Sequence, residues 1–151
     1  MLHIVPARAE DAGELSRIAF EAKGHWGYCQ EWMESWRTSL TIDPEYILAN
    51  PVYLGRDPGG VCGFYALTGE SPALILDHLW MDPTRMGQGY GRALFEHAVQ
   101  RARELGAARL DIQADPHAEG FYLHMGAQRC GEMKYRLEGQ ERVLPLLVYS
   151  V

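Results

Sequence analysis

Between Thr84 and Leu94 the chain reads TRMGQGYGRAL, with Gly87, Gly89 and Gly91 at alternate positions and Arg85 and Arg92 beside them. Glycine allows positive φ and lets a ligand approach backbone amides closely. The apolar run ALILDHLWM precedes the glycines, and Leu94, Ala98, Ala102 and Leu105 follow at helical spacing. A strand, a glycine turn and a helix in succession put free amides and the positive end of a helix dipole in one place, which suits phosphate. Two of the machines that use this arrangement are excluded. A P-loop needs Lys-Ser or Lys-Thr after its glycines, and none stands here. A dinucleotide fingerprint, G-x-G-x-x-G/A, meets Arg92 or Leu94 where its third small residue must let helix and strand pack closely. Asp111 stands where that motif's ribose-binding acid would be, but reads better as a solvent-side strand residue. What remains is a loop that cradles a pyrophosphate with its backbone.

The flanking sequence predicts one domain over residues 1–151. LHIV is a first strand closed by Pro6, and Leu15, Ile18, Ala19 and Ala22 mark a helix ended by Lys23-Gly24. Tyr28, Trp32, Trp36 and Leu40, four apart, mark a second helix, with Trp32 and Trp36 read as core. VYLGRD and VCGFYALT form a hairpin across Pro58-Gly59-Gly60, and ALILDHLWM is a central strand. After the glycine loop and its helix, capped by Gly106, ARLDIQA alternates as a strand. Asp115-Pro116 then starts a short helix as N-cap and N1, stopped by Gly126. QRCGEMKYRL and RVLPLLVYSV close the chain as two strands. The predicted order is β-α-α-β-β-β-α-β-α-β-β, an α+β fold with a mixed central sheet flanked by helices on both faces.

Composition narrows the partners. The net charge of −6 argues against nucleic acid. No apolar run approaches the ~20 residues of a membrane span, and the N-terminal MLHIVPARAED lacks the apolar stretch of a signal peptide. Cys29, Cys62 and Cys130 are odd in number and far apart, which fits a reducing cytoplasm better than a disulfide framework or a zinc site. No H-x-x-x-H or H-E-x-x-H occurs, so no metal is expected, and His117 and His124 read as solvated. The apolar terminal strand is read as an association edge for a homodimer.

MDPTRMGQGYGRALFEHAV resembles the acyl-CoA pyrophosphate loop of the GNAT family of N-acetyltransferases, [Q/R]-x-x-G-x-G/A after a strand. Gly89 and Gly91 match its glycines, while Met86 stands at the usual Arg or Gln position, with Arg85 and Arg92 as substitutes for that side chain. DPHAEGFYLHMG is similar to the family's second motif, Asn-x-x-Ala-x-x-x-Tyr-x-x-x-Gly, through Ala118, Tyr122 and Gly126. Asp115 replaces the Asn. A carboxylate only accepts hydrogen bonds, so helix capping is its expected role.

The resemblance implies the acyl-CoA N-acyltransferase fold and transfer of acetyl from acetyl-CoA to a primary amine, in a small molecule, a peptide N-terminus or a lysine. Cofactor contacts fall on Leu79, Trp80 and Met81 (pantetheine, paired as a pseudo-strand), on Met86, Gly87, Gln88, Gly89, Tyr90, Gly91 and Arg92 (pyrophosphate), and on Asp115 and Tyr122. The Leu79 N–H is the expected oxyanion donor and Tyr122 the acid for the leaving thiolate. Strand alternation puts Ile75, Asp77 and Leu79 on one face, making Asp77 the first choice of base, with His25 its rival and His78 an interior histidine on the other face. His25, Trp26 and Tyr28, with Asp77, are expected to wall the acceptor pocket, where aromatic rings suit an amine. The alternative is a non-catalytic acyl-CoA-binding sensor.

Overall fold

The computed structural model describes residues 1–151. Seven strands form one sheet in the order β1-β2-β3-β4-β5-β7-β6. They are β1 (His3–Pro6), β2 (Val52–Asp57), β3 (Gly60–Glu70), β4 (Ala73–Met81), β5 (Arg109–Gln113), β6 (Gln128–Leu137) and β7 (Gln140–Ser150). Only β4 and β5 run parallel; every other neighbouring pair is antiparallel. The helices are α1 (Ala12–Gly24), α2 (Gln30–Ser35), α3 (Arg37–Leu40), α4 (Pro44–Ala49), α5 (Tyr90–Glu104) and α6 (Glu119–His124).

The two sheet faces carry separate cores, as the apolar stripes predict. Leu94, Phe95, Ala98 and Ala102 of α5 and Tyr122 of α6 pack on Tyr65, Leu76, Leu110 and Leu147 of the sheet. On the opposite face Leu15, Ile18 and Ala19 of α1, with Met33, Leu40 and Ile47 from α2 to α4, pack on Leu54, Phe64 and Ala66.

Three expectations need correcting. The stripe from Tyr28 to Leu40 is not one helix: α2 stops at Ser35 and α3 restarts at Arg37, and Met33 is buried in the core, with Trp36 half-buried against it and Trp32 outside it. An additional helix, α4, begins with Asp43-Pro44 and has proline in its first turn, the same start signal that predicted the element after Asp115. The apolar C-terminal strand is not an edge. β7 lies between β5 and β6, so its apolar residues are shared by two pairings and offer no free edge to a second copy.

Two irregularities distinguish β4 from its neighbours. Its pairing with β3 runs Ala66↔His78 and then Leu67↔Leu76, which leaves Asp77 unpaired as a β-bulge. Its pairing with β5 ends at Ile75↔Asp111, although β4 continues to Met81. Beyond that point the two parallel strands separate.

Gly63 on β3 holds the far end of β4 close. A Cβ there would lie 2.5 Å from the Trp80 carbonyl oxygen and 2.6 Å from the Met81 sulfur. Gly63→Ala is therefore expected to push β4 outward and destabilise the chain by about 1–3 kcal/mol, read as a lower midpoint in urea. An unchanged midpoint would show that the contact is easily relieved.

Candidate active site

The gap between β4 and β5 opens into a cavity of about 480 Å³ lined by β4 residues from Leu76 to Met81, the glycine loop, Asp115, His117 and Tyr122. The backbone decides what β4 presents to it. Asp82 N–H donates to the Cys62 carbonyl at 2.7 Å, and Gly63 pairs with Met81. Hydrogen-bonded pairs alternate along an antiparallel ladder, so Phe64↔Trp80 is also a bonded pair. Trp80 therefore spends its amide and carbonyl on β3, while those of Leu79 and Met81 point into the gap. Of the three residues expected to pair with pantetheine, two present free backbone groups. Trp80 contributes wall: its ring packs against the α1–α4 core and its Nε1 donates to His78 Nδ1 at 2.9 Å.

The bulge separates Asp77 from Leu79. Leu74 and Leu76 face the α5 side before it, and Leu79 and Met81 face that side after it. The extra residue reverses the alternation, so Asp77 does not share a face with Leu79 as regular pleating predicts. Its carboxylate instead accepts a short hydrogen bond from the Tyr46 hydroxyl of α4 and faces His78 Nε2 across 3.7 Å. Burial outweighs Asp77 and holds His78 below its ordinary pKa, so His78 is neutral near pH 7. Asp77 still borders the cavity.

At the glycine loop, Gly87 and Gly89 have φ of 84° and 79°, the left-handed region that favours glycine. Gly89 is the N-cap of α5, and Ala93 N–H makes the first bond back to its carbonyl, at 3.1 Å. The amides of Tyr90, Gly91 and Arg92 thus have no acceptor within the helix. A cradle of such amides fits a pyrophosphate. The two neighbouring arginines differ. Arg85 is held by Asp57 at 3.1 Å and by Asp82 at 3.5 Å. Arg92 pairs only with Glu96, at 2.8 Å, on an exposed surface where the bond is worth at most about 1 kcal/mol. Arg92 can turn to a phosphate at little cost; Arg85 cannot. Met86 is 40% exposed beside the loop.

Tyr122 lines the cavity and is buried, and burial alone pushes its phenol well above its ordinary pKa. It is therefore fully protonated at neutral pH.

The residues expected at the acceptor wall divide. His25 is exposed, makes edge contact with Trp26 and does not line the cavity. Trp26 lines it and stacks on His117 with centroids 5.0 Å apart. Tyr28 stands behind that pair in a polar cluster that residue patterns alone did not reveal. Asp115 accepts from Lys23 Nζ at 2.6 Å, from the Tyr28 hydroxyl at 2.9 Å and from His117 N–H at 2.8 Å. The last bond is the predicted cap. Burial would raise the Asp115 carboxyl, but the Lys23 ammonium and these hydrogen bonds hold it below the usual carboxylate range. Burial, followed by the bond to Asp115, pushes the Tyr28 phenol up to about 12. Arg142 Nη2 donates to the Tyr28 oxygen at 3.0 Å. No group of three or more His, Cys, Asp or Glu side chains is placed to hold a metal ion.

The Acetyltransferase (GNAT) family profile matches residues 10–127. A stretch of 87 residues is 37% identical to the peptidyl-lysine N-acetyltransferase YjaB of Salmonella typhimurium, covering 58% of this chain and 56% of that protein. The match therefore extends over little more than half of either chain. A GCN5-related N-acetyltransferase from Rhodopseudomonas palustris shares the fold with a TM-score of 0.82 at 20% identity, over 99% of this chain and 95% of that one. The PaiA N-acetyltransferase of Thermoplasma acidophilum, in complex with coenzyme A, does so at 0.75 and 17%, over 100% and 99%.

The two arginines should separate experimentally. Arg92→Ala is expected to weaken CoA binding about 3- to 10-fold without moving Tm, and Arg85→Ala to lower Tm. Titration calorimetry and melting curves would read both, and the reverse pattern would contradict this assignment. Asp115→Ala leaves Lys23 buried without its anion, a loss expected to cost about 3–5 kcal/mol. Because the folded carboxyl is depressed, the stability it contributes is present above the ordinary carboxylate pKa and is lost as the pH falls through the folded value. Chemical denaturation at pH 7 and pH 3 should show a smaller gap between variant and wild type at the lower pH.

Proposed function

The chain belongs to the GNAT family of acetyltransferases, and from that premise we propose that it transfers the acetyl group of acetyl-CoA to a primary amine by direct attack on the thioester. The observation that carries this reading is the separation of β4 from β5, with the free Leu79 and Met81 amides between the glycine cradle and Tyr122. A binding surface alone would not need a buried phenol at that point.

Acetyl-CoA supplies an activated acyl group on a sulfur leaving group. The chain's residues do the rest. Met81 and Leu79 pair with the extended arm as a further strand would, and the loop from Gly87 to Arg92 holds the pyrophosphate. The Leu79 N–H stabilises negative charge developing on the carbonyl oxygen. Tyr122, kept protonated by burial, gives its proton to the departing sulfur. Asp77 takes the proton from the attacking amine, directly or through a water, because it borders the cavity and carries the carboxylate nearest to Leu79 in sequence. Trp26 forms the acceptor wall, with Tyr28 behind it.

All three cysteines are free thiols, which supports a reducing, cytoplasmic setting. No helix is long and apolar enough to cross a membrane.

The test is acetyl-CoA-dependent release of free thiol against a panel of amines. Tight acetyl-CoA binding with no turnover on any amine would favour the sensor instead. Tyr122→Phe should lower kcat by roughly 100-fold while acetyl-CoA binds as before; an unchanged kcat would remove Tyr122 from the mechanism. Asp77→Asn should lower kcat/KM and abolish the acidic limb of its pH profile. Wild-type rate with that limb intact would exclude Asp77 as the base.

A further inference from the structure

The most anomalous group outside the reaction cavity is Arg142, near the start of β7. It is only 7% exposed, yet it has no carboxylate partner. Its two protein acceptors are phenols, the Tyr135 oxygen at 3.2 Å from Nη1 and the Tyr28 oxygen at 3.0 Å from Nη2. The guanidinium also lies 5.0 Å from the Trp32 ring and 5.1 Å from that of Trp36. An arginine has five N–H donors and cannot discard its charge. Nη1 and Nη2 each spend one hydrogen on a phenol, and Nε has no protein acceptor yet is not completely sealed, a state found only at Arg101 Nε.

Lys23 deepens the imbalance. Its side chain is 12% exposed, and its one anion is Asp115. Two buried cations thus share one carboxylate. Hydrogen bonds link this excess to the reaction cavity: Asp115 and His117 line it, both bond to the Tyr28 hydroxyl behind them, and Tyr28 accepts from Arg142.

We propose that the acceptor is a small amino acid-like molecule whose own carboxylate supplies the missing anion at Arg142, while its amine reaches the acetyl group. The inference rests on the acetyl-transfer reading for the role of the amine. A carboxylate matches the planar guanidinium fork with two parallel hydrogen bonds, which a phenol cannot provide. Trp26, stacked on His117, gives the body of the molecule an aromatic wall between the two charged ends.

The test uses matched triads: for several side chains, the L-amino acid, its amide, and the corresponding amine without a carboxyl group. Wild type should favour the acid at least 10-fold in kcat/KM, and Arg142→Met should abolish that preference while retaining acetyl-CoA binding. Amides or simple amines turned over as well as the acids would overturn the proposal, as would a peptide lysine with blocked termini taken best of all. Arg142→Lys should keep part of the preference, and it serves if the methionine variant does not fold. If no amine is turned over, the acetyl-transfer reading fails on its own account, and tryptophan fluorescence decides this one. Saturable quenching by an amino acid but not by its amide, weakened in Arg142→Lys, supports the carboxylate site; no such response removes it.

Discussion

Everything in the proposed chemistry depends on β4 leaving β5. A parallel pair normally satisfies its backbone groups continuously, and unpaired amides in an interior are costly. Here the pairing stops at Ile75 and Asp111 while both strands stay anchored elsewhere, β4 to β3 and β5 to β7. The sheet stays continuous because three pairs, Ala73 to Ile75 with Arg109 to Asp111, still join its two halves. The amides left open there belong to a strand that β3 holds along its other edge, so they need little reorganisation when a ligand arrives. Such preorganised donors are the largest source of stabilisation that a fold can offer an oxyanion.

The Asp77 bulge is the companion of that gap. One extra residue reverses which side chains face which core. Leu79 and Met81 thereby turn toward α5, while Asp77 is handed to Tyr46 on α4. The proposed base and oxyanion donor thus come from one strand but approach the cavity from different faces. A regular strand would crowd both onto one surface.

At the other end of the cavity, charge rather than backbone ties the parts together. Asp115 holds Lys23 of α1, Tyr28 of the following loop and His117 of its own turn. Replacing the family's amide by a carboxylate therefore trades a donor for an anchor that can neutralise a buried ammonium. Arg142 joins this cluster from β7, so the proposed acceptor side draws on segments more than 100 residues apart.

Much of this was legible in the chain. Apolar and β-prone runs bounded by turn residues placed all seven strands, and a 3.6-residue stripe placed the two long helices, because both are properties of a local window. The glycine spacing and the Asp115-to-Gly126 pattern located the loop and the helix that carries Tyr122, because these depend on local backbone freedom and helical spacing. The break between α2 and α3 was not legible, since an aromatic stripe looks the same whether it packs on a sheet or around Arg142. Nor was the face of Asp77, because a bulge is a mismatch between two strands and leaves no mark on either one alone. β7 read as a free edge because its second partner, β5, lies well before it in the chain, with α6 and β6 in between. The amino-acid sequence by itself determined the layers, the glycine loop and the tyrosine on the short helix, all set by short-range pattern. The tertiary structure alone decided which amides are free, where Asp77 points and which cation lacks an anion, because each is a relation between segments that meet only in the folded chain.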